Sequence, residues 1–355
     1  MARIIFHVDL DSFYTAVETR EHPDLKGKPI VVGADPKGGK GRGVVMAASY
    51  EARALGVKAG MPISLAWRKL PDAIYKRPNY ELYGTASENV MNVLRAFADK
   101  FEQASIDEAY LDVTAKTSWD DVRDYALAVK TAVRDREGLS CSIGVAHNKS
   151  TAKIAAAQQK PDGLTIVPPD RLQSFLNPLP VNAISGVGEK TDRVLDELGI
   201  RTIGDLAAFP GKKLTEILGR NAVWLWGIAR GIEELPVEER PDAKSISVER
   251  TFERDVTDWA EIVETLDSVA DNVHRRVKDA RVTFRTAGLK IRFEGFVTHT
   301  RDRTLQTWTD DRELLMSTVR ELAAEFEGRE QPVRMLGVRV ANLQRPRGKQ
   351  ASLEG

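Results

Sequence analysis

The pattern of apolar and polar positions divides the chain into short strands and amphipathic helices. Ile4 to Val8 is an apolar run that ends at Asp9-Leu10-Asp11, the pattern of a buried strand emerging at a polar edge. Periodicity then predicts a helix over Phe13 to Arg20, a strand over Pro29 to Gly33, a glycine-rich loop over Lys37 to Gly43 and a strand into helix over Val44 to Leu55. Pro62 opens a helix through Leu70, a placement that suits the first helical turn. A second stretch of the same kind follows: a long helix near Glu81 to Phe101, a strand near Ala109 to Val113, a helix near Trp119 to Glu137, the Cys141 strand and a helix over Lys149 to Gln159. This alternation predicts one α/β domain interrupted by an insertion.

From Pro168 the pattern turns helical, with Ile184-Ser185-Gly186-Val187-Gly188 between two helix-like segments. The stretch Gly231 to Lys244 holds two prolines and the acidic residues Glu233, Glu234, Glu238, Glu239 and Asp242 with few apolar anchors, so it reads as a linker. Beyond it, strands near Ser245 to Phe252, Thr286 to Phe296, Asp302 to Trp308 and Met335 to Leu343 bracket helices near Trp259 to Lys278 and Asp310 to Glu327, a small sheet with two helices. Gln344 to Gly355 carries no core residues and is expected to be mobile.

A length of 355 residues favours two or three folding units over one core. No run approaches the roughly 20 apolar residues of a membrane span, and Met1 to Asp9 has no signal-peptide pattern, so a cytoplasmic, membrane-free protein is expected. The single cysteine, Cys141, excludes an intramolecular disulfide and a cysteine-rich metal site; its apolar neighbours make it a small core residue. Net charge is zero, which argues against a surface that is basic all over. From Pro241 onward, however, 16 of 20 basic residues are arginine, whose planar fork suits phosphate.

Three carboxylates, Asp9, Asp107 and Glu108, each follow an apolar or small-residue stretch where a solvated charge is out of place. Two magnesium ions about 3.5 to 4 Å apart take hard oxygen ligands of this kind, activating a primer hydroxyl and stabilising a leaving pyrophosphate. Alone, an Asp-x-Asp or Asp-Glu pair is more often a helix cap or surface charge. The surrounding blocks supply the specificity. His7-Val8-Asp9-Leu10-Asp11-Ser12-Phe13-Tyr14 with Val17-Glu18, Ala48-Ser49-Tyr50-Glu51-Ala52-Arg53 with Gly56 to Pro62, Ser105-Ile106-Asp107-Glu108-Ala109-Tyr110-Leu111-Asp112, and Ile143 to Lys149 through Lys153 with Lys160-Pro161-Asp162-Gly163 occur in that order. In order and spacing they resemble the signature blocks of Y-family DNA polymerases, most closely the DinB branch, from about Ile4 to about Asn342.

The resemblance implies an α/β (α+β) multidomain, right-hand fold. Residues 1–12 with 79–167 would form the palm, 13–78 the fingers, 168–232 a thumb with a helix-hairpin-helix, 233–243 a linker, 244–342 a little finger and 343–355 a mobile tail. It implies that Asp9, Asp107 and Glu108, with the Leu10 carbonyl, hold two magnesium ions, and that Asp11 is mainly structural. Tyr50, Arg53 and Lys160 would grip the triphosphate of a deoxynucleotide, Phe13 and Tyr14 would lie at the sugar, and Tyr14 would be the steric gate that excludes a ribose 2′-hydroxyl. Ala59-Gly60 leaves room over the template base. Ala47 and Ser12 depart from the pattern, standing where relatives place a threonine and an aromatic residue; one phosphate hydrogen bond, worth about 1 kcal/mol, is expected to be missing.

Gly186 and Gly188 resemble the glycine turn of a helix-hairpin-helix, where bare backbone N–H groups approach a DNA phosphate. In the last domain Lys290, Arg292, Arg301, Arg303 and Arg339 alternate with apolar residues, and period two is expected to gather them on one DNA-binding sheet face. Gln350-Ala351-Ser352-Leu353 matches the start of the Gln-x-x-Leu-x-x-aromatic-aromatic peptide that binds sliding clamps, without its aromatic anchors. Together these features point to a monomeric, low-fidelity translesion polymerase on primer-template DNA, without a proofreading exonuclease. A catalytically silent DNA-binding scaffold would not need the carboxylates and triphosphate residues, and a two-metal cyclase would not need the hairpin or the arginine-bearing sheet.

Overall fold

The computed structural model describes residues 2–239 and 243–345. The chain divides into two compact units, Met1–Gly39 with Val44–Arg240, and Pro241–Gly355 with Lys40–Gly43.

The first unit begins with β1 (Ile5–Leu10) and α1 (Phe13–Glu21), followed by β2 (Ile30–Gly33), β3 (Val45–Ala48), α2 (Tyr50–Ala54), α3 (Ile63–Lys69) and β4 (Ile74–Lys76). Next come α4 (Tyr80–Arg95), β5 (Lys100–Gln103), β6 (Glu108–Asp112), α5 (Val122–Glu137), β7 (Cys141–Ala146), α6 (Lys149–Ala156) and β8 (Leu164–Ile166). Five of the strands make one sheet in the order β5-β6-β1-β7-β8, with β1 antiparallel to both neighbours and β8 parallel to β7. A separate three-stranded sheet, β3-β2-β4, backs α2 and α3.

Alternation along β1 decides which face does what. Phe6, Val8 and Leu10 enter a core shared with α4 and α5, while Ile5 packs on the opposite face with Tyr110 and with Ala152 and Ala155 of α6. Asp9 and His7 share the α6 face by the same alternation. That helix lies unusually close, because Gly144 of β7 has no side chain: a Cβ there would sit 2.0 Å from the Ala152 carbonyl oxygen and 2.3 Å from the Ala156 nitrogen. Cys141 is buried, as its apolar neighbours imply.

Helices α7 (Leu172–Leu176), α8 (Glu189–Glu197), α9 (Ile203–Ala208), α10 (Gly211–Leu218) and α11 (Arg220–Ala229) pack around Leu176, Leu195, Ile203 and Leu214. In the second unit, β9 (Ser245–Val256), α12 (Trp259–Asp279), β10 (Phe284–Phe293), β11 (Thr298–Thr309), α13 (Arg312–Ala324) and β12 (Val333–Ala341) form a four-stranded antiparallel sheet, β11-β10-β12-β9, with both helices on one face.

Several expectations need correction. The helix expected over Glu81 to Phe101 stops at Arg95, and Lys100–Gln103 is a strand paired with β6; its short edge position gave too little alternation to read. Strands β4 and β8 are three residues each and carry no periodicity of their own. Pro62 is the N-cap of α3 rather than part of its first turn. Ahead of Gly186 stands a single 3-10 turn, Val181–Ala183, in place of a full helix. The supposed linker is anchored along its first half: Val237 is 1% exposed, and Arg3 donates to the carbonyls of Glu233 and Leu235. One apolar residue and main-chain carbonyls do this, which composition does not register. Leu343 packs on the second unit's core and Gln344 pairs with Thr283 through two backbone hydrogen bonds, so neither belongs to a free tail. Gln350 to Leu353 lies outside the described residues. Among the described residues no helix is long and apolar enough to cross a membrane.

Gly144→Ala is expected to destabilise the first unit through overpacking, by about 1 to 3 kcal/mol or somewhat more. A thermal melt should show its transition lowered by several degrees.

Candidate active site

Strand register brings the first two carboxylates together. Asp9 in β1 is paired with Glu108 in β6, so both side chains leave the sheet on the α6 face, and Ser142 of β7 flanks Asp9 on the other side. Asp107 joins them through the backbone, since the Leu10 N–H donates to its carbonyl at 2.9 Å. The Asp107 carboxylate accepts from Ser105 Oγ at 2.6 Å, and the Ser87 hydroxyl donates to the neighbouring Ile106 carbonyl. Three acids on adjoining strand ends repel one another. Two lysines answer them: Lys160 Nζ lies 2.5 Å from Asp9 Oδ1, and Lys153 Nζ, one and a half turns into α6, donates to both Glu108 oxygens at 2.6 Å.

The two carboxylates titrate far apart. Burial, opposed by Lys160 and reinforced by Glu108 and Asp107, pushes Asp9 up to about 6. The imidazole of His7 and the Lys153 ammonium pull Glu108 down to about 2. His7 is fully buried and edge-on to Tyr110, with its Nε2 3.8 Å from Glu108; burial lowers its own pKa and keeps the ring neutral. The hard oxygens of Asp9, Asp107 and Glu108 suit a divalent cation of the magnesium type. The described residues nevertheless hold no group of three acids already converged on one point, because the Asp107 oxygen is turned to Ser105 and the lysines occupy the other two. A bound cation would take the place of the ammonium groups on the same oxygens.

Asp11 is the structural acid of the motif. It is 4% exposed and accepts from Ser140 Oγ, Ser142 Oγ and the Asp162 N–H at 2.8–2.9 Å. Asp162 is held from the other side by Lys130 and by Arg134, whose Nη2 donates to both carboxylate oxygens, while Lys130, itself buried, also donates to the Cys141 and Gly163 carbonyls. These bonds fix the loop that carries Lys160 against the sheet. Sequence reading assigned no role to His7, Lys130, Arg134 or Lys153. Lys153 stood at the end of a quoted block, and its place four residues beyond the α6 start was the available signal.

Tyr14 is half-buried at the start of α1, with its ring 5.3 Å from Phe13 and 5.0 Å from Tyr83 in edge-on contacts. Phe13 and Tyr83 are fully buried, and the Tyr83 hydroxyl donates to Glu18 at 2.6 Å. The gate candidate therefore stands on a rigid aromatic floor. Burial and the charge of Asp107 raise the Tyr14 pKa, so its hydroxyl is protonated. Tyr50 is the first residue of α2; burial, then Asp11, raise its pKa. Its hydroxyl and that of Ser12 are buried without a hydrogen-bond partner among the described residues. Arg53 is exposed, anchored by Nε to the Ala48 carbonyl and stacked over the Tyr50 ring at 5.1 Å. Ala47 is buried in β3 opposite Val32, and Ala59-Gly60 is exposed, with nothing within 4 Å of a Gly60 Cβ. Lys160, Tyr50 and Ser12 thus supply donors and charge suited to phosphate around the carboxylates.

In the helical segment, Gly186 has φ +97°, a conformation that other residues rarely adopt; Gly188, the residue before α8, has φ −88° and open space where a Cβ would stand. In the second unit the basic residues divide between two faces. Lys290, Arg292 and Arg339 share the open face, since Lys290 pairs with Gly337 and Gly288 with Arg339. Arg301 and Arg303 pair with Leu289 and Ala287, which puts them on the helix side, where they bind Glu325 and Glu321 of α13. The expectation of one shared face was wrong, because it required a register between β10 and β11 that alternation within each strand does not fix. On the open face Lys290 is paired with Glu249 and Arg339 with Asp302.

Comparison with known proteins agrees with this geometry. Residues 8–157 match the impB/mucB/samB family, 243–353 its C-terminal domain, and 179–232 the DNA polymerase eta/Rev1 helix-hairpin-helix motif. DNA polymerase IV of Methanoculleus marisnigri is 45% identical over 353 residues, 99% of this chain and 98% of its own. A solved Y-family DNA polymerase chimera of Dbh and Dpo4 superposes with a TM-score of 0.87 at 33% identity, covering 96% of this chain and 99% of the chimera. An insertion ternary complex of Dbh DNA polymerase gives 0.68 at 32% identity, covering 96% and 99%. With strand-end carboxylates, polar donors around them and relatives along nearly its whole length, the chain belongs to the Y family of DNA polymerases.

Proposed function

We propose that Asp9, Asp107 and Glu108 are the catalytic centre at which this DNA-directed DNA polymerase adds deoxynucleotides to a primer during translesion synthesis. The observation that carries the assignment is the pairing of Asp9 with Glu108 across the sheet, with Lys160 and the unpartnered hydroxyls of Tyr50 and Ser12 beside it. The enzyme uses divalent metal ions, as its family does; our reading is that two magnesium ions are held by Asp9, Asp107, Glu108 and the Leu10 carbonyl. Bound there, they would supply Lewis-acid stabilisation of the attacking and leaving oxygens.

The chain's own residues do the remaining work. Lys160, held by the Asp162 loop, transfers its charge from Asp9 to the triphosphate once the carboxylate has another cation. Tyr50 and Ser12 donate to phosphate oxygens, and Arg53, fixed by Nε, presents its remaining nitrogens. Tyr14, braced by Phe13 and Tyr83, fills the space that a 2′-hydroxyl would need. In this reading the five-stranded sheet with α4 to α6 is the palm, the three-stranded sheet with α2 and α3 the fingers, α7 to α11 the thumb and the second unit the little finger. DNA backbone is held by the Gly186–Gly188 turn and by Lys290, Arg292 and Arg339. We further read the protein as a cytoplasmic monomer that contacts a sliding clamp through Gln350 to Leu353.

Primer extension with magnesium and deoxynucleotides tests the core of this assignment. Asp107→Ala should lower the rate by at least about a hundredfold while DNA binding persists; equal rates would remove the assignment. Tyr14→Ala should raise ribonucleotide incorporation relative to deoxynucleotide by about tenfold or more, and an unchanged ratio would deny the gate. On the open face of the second unit, Arg339→Ala should weaken DNA binding to all sequences alike and lower the salt slope by about one. A slope equal to that of the unaltered protein would exclude it from the interface.

A further inference from the structure

A cleft of about 750 Å³ opens beside the triphosphate collar, between α1, the turn after it, α2 and the loop that ends at Pro161. Ser12 and Tyr50 form the part of its wall that meets the collar, and Lys26 and Lys28 line it farther out. Arg20 and Arg134 also line it, but they are already satisfied by Glu137 and Asp162. Lys26 and Lys28 are exposed, and their ammonium groups form no ion pair or hydrogen bond among the described residues. The wall thus runs from two buried hydroxyls without partners among the described residues to the two lysines; the carboxylates that also line it are Glu51 and Asp11, the latter already held by Ser140, Ser142 and the Asp162 N–H.

From this arrangement we infer that the cleft is the exit route of pyrophosphate, with Lys26 and Lys28 forming a secondary anion site for the leaving group. The inference rests on the polymerase reading and deepens it. When the primer 3′-oxygen bonds to the α-phosphorus, the bond from that phosphorus to the bridging oxygen breaks and its electron pair departs with pyrophosphate. That product carries several negative charges and is held by Tyr50, Ser12, Arg53 and Lys160. A second set of donors along the cleft lets the anion give up its first contacts in steps, exchanging them for charge-assisted ones before it is fully hydrated. The cleft provides polar walls and cations, and Asp9, Asp107 and Glu108 are not among the residues that line it. Lys26 and Lys28 touch none of the reacting atoms, so they act on the product and not on the chemistry.

The test uses the full chain on primer-template DNA with inorganic pyrophosphate added as a product inhibitor. In the Lys26→Ala/Lys28→Ala variant the inhibition constant for pyrophosphate should rise about threefold to tenfold, the size expected from lost charge-assisted contacts. The KM for deoxynucleotide and the single-turnover rate should stay within about twofold. The Lys26→Glu/Lys28→Glu variant should shift the constant further in the same direction, and thermal melts matching the unaltered protein would show that both variants are folded. An unchanged inhibition constant in both variants overturns the exit route. So does a KM for deoxynucleotide that rises in step with it, because the lysines would then serve substrate entry. Absence of any primer extension by the unaltered protein would instead overturn the polymerase reading beneath it.

Discussion

The site depends on one electrostatic constraint: Asp9 and Glu108 are placed directly across from each other on neighbouring strands, beside Asp107. Like charges in such a pair destabilise a sheet unless cations stand close. The protein meets this with Lys160 on Asp9 and Lys153 on Glu108. The oxygens of these acids suit a divalent cation, and in this structure the two lysines stand on them as internal counter-ions. On the reading proposed above, a triphosphate would offer Lys160 a second partner besides Asp9.

Holding those lysines in place explains much of the surrounding architecture. Lys153 reaches Glu108 because α6 lies against β7 with only Gly144 between them, at a separation that no side chain would permit. Lys160 reaches Asp9 because its loop is bound on two sides, by Asp11 through the Asp162 N–H and by Lys130 and Arg134 through the Asp162 carboxylate. Glu233 extends the arrangement by accepting from the Ser150 N–H and hydroxyl in the first turn of α6. A residue in the nominal linker therefore helps to fix the helix that carries a counter-ion of the site.

The collar around the carboxylates follows a different principle. Tyr14 is braced by Phe13 and Tyr83, which is what the proposed gate needs, since a group that excludes one hydroxyl has to be unable to yield. Tyr50 and Ser12 hold buried hydroxyls without partners, an arrangement that costs stability unless a ligand supplies acceptors. On the proposed reading, rigid packing would provide selectivity for sugar and unmet polar groups attraction for phosphate.

Much of this was legible along the chain because it is local. The apolar run of β1 identified a strand that ends in Asp9, the small-residue stretch before Asp107 marked the adjacent Asp-Glu pair, and the ordered blocks around them named Tyr14, Tyr50, Arg53 and Lys160. Period two also separated the basic from the apolar positions of β10 and β12. What the chain alone did not disclose are relations between residues far apart in sequence. The faces taken by Arg301 and Arg303 depend on how β11 registers with β10, and a shift of one residue would exchange them. The capture of Glu108 by Lys153 and of Asp162 by Lys130 depends on how closely a helix approaches a sheet, and the anchoring of Glu233 and Val237 on main-chain donors that every residue possesses. The sequence by itself determined which acids, hydroxyls and cations the site contains. Tertiary packing decided which of them neutralise one another, because side-chain charges interact only over the few ångströms that strand register and helix approach establish.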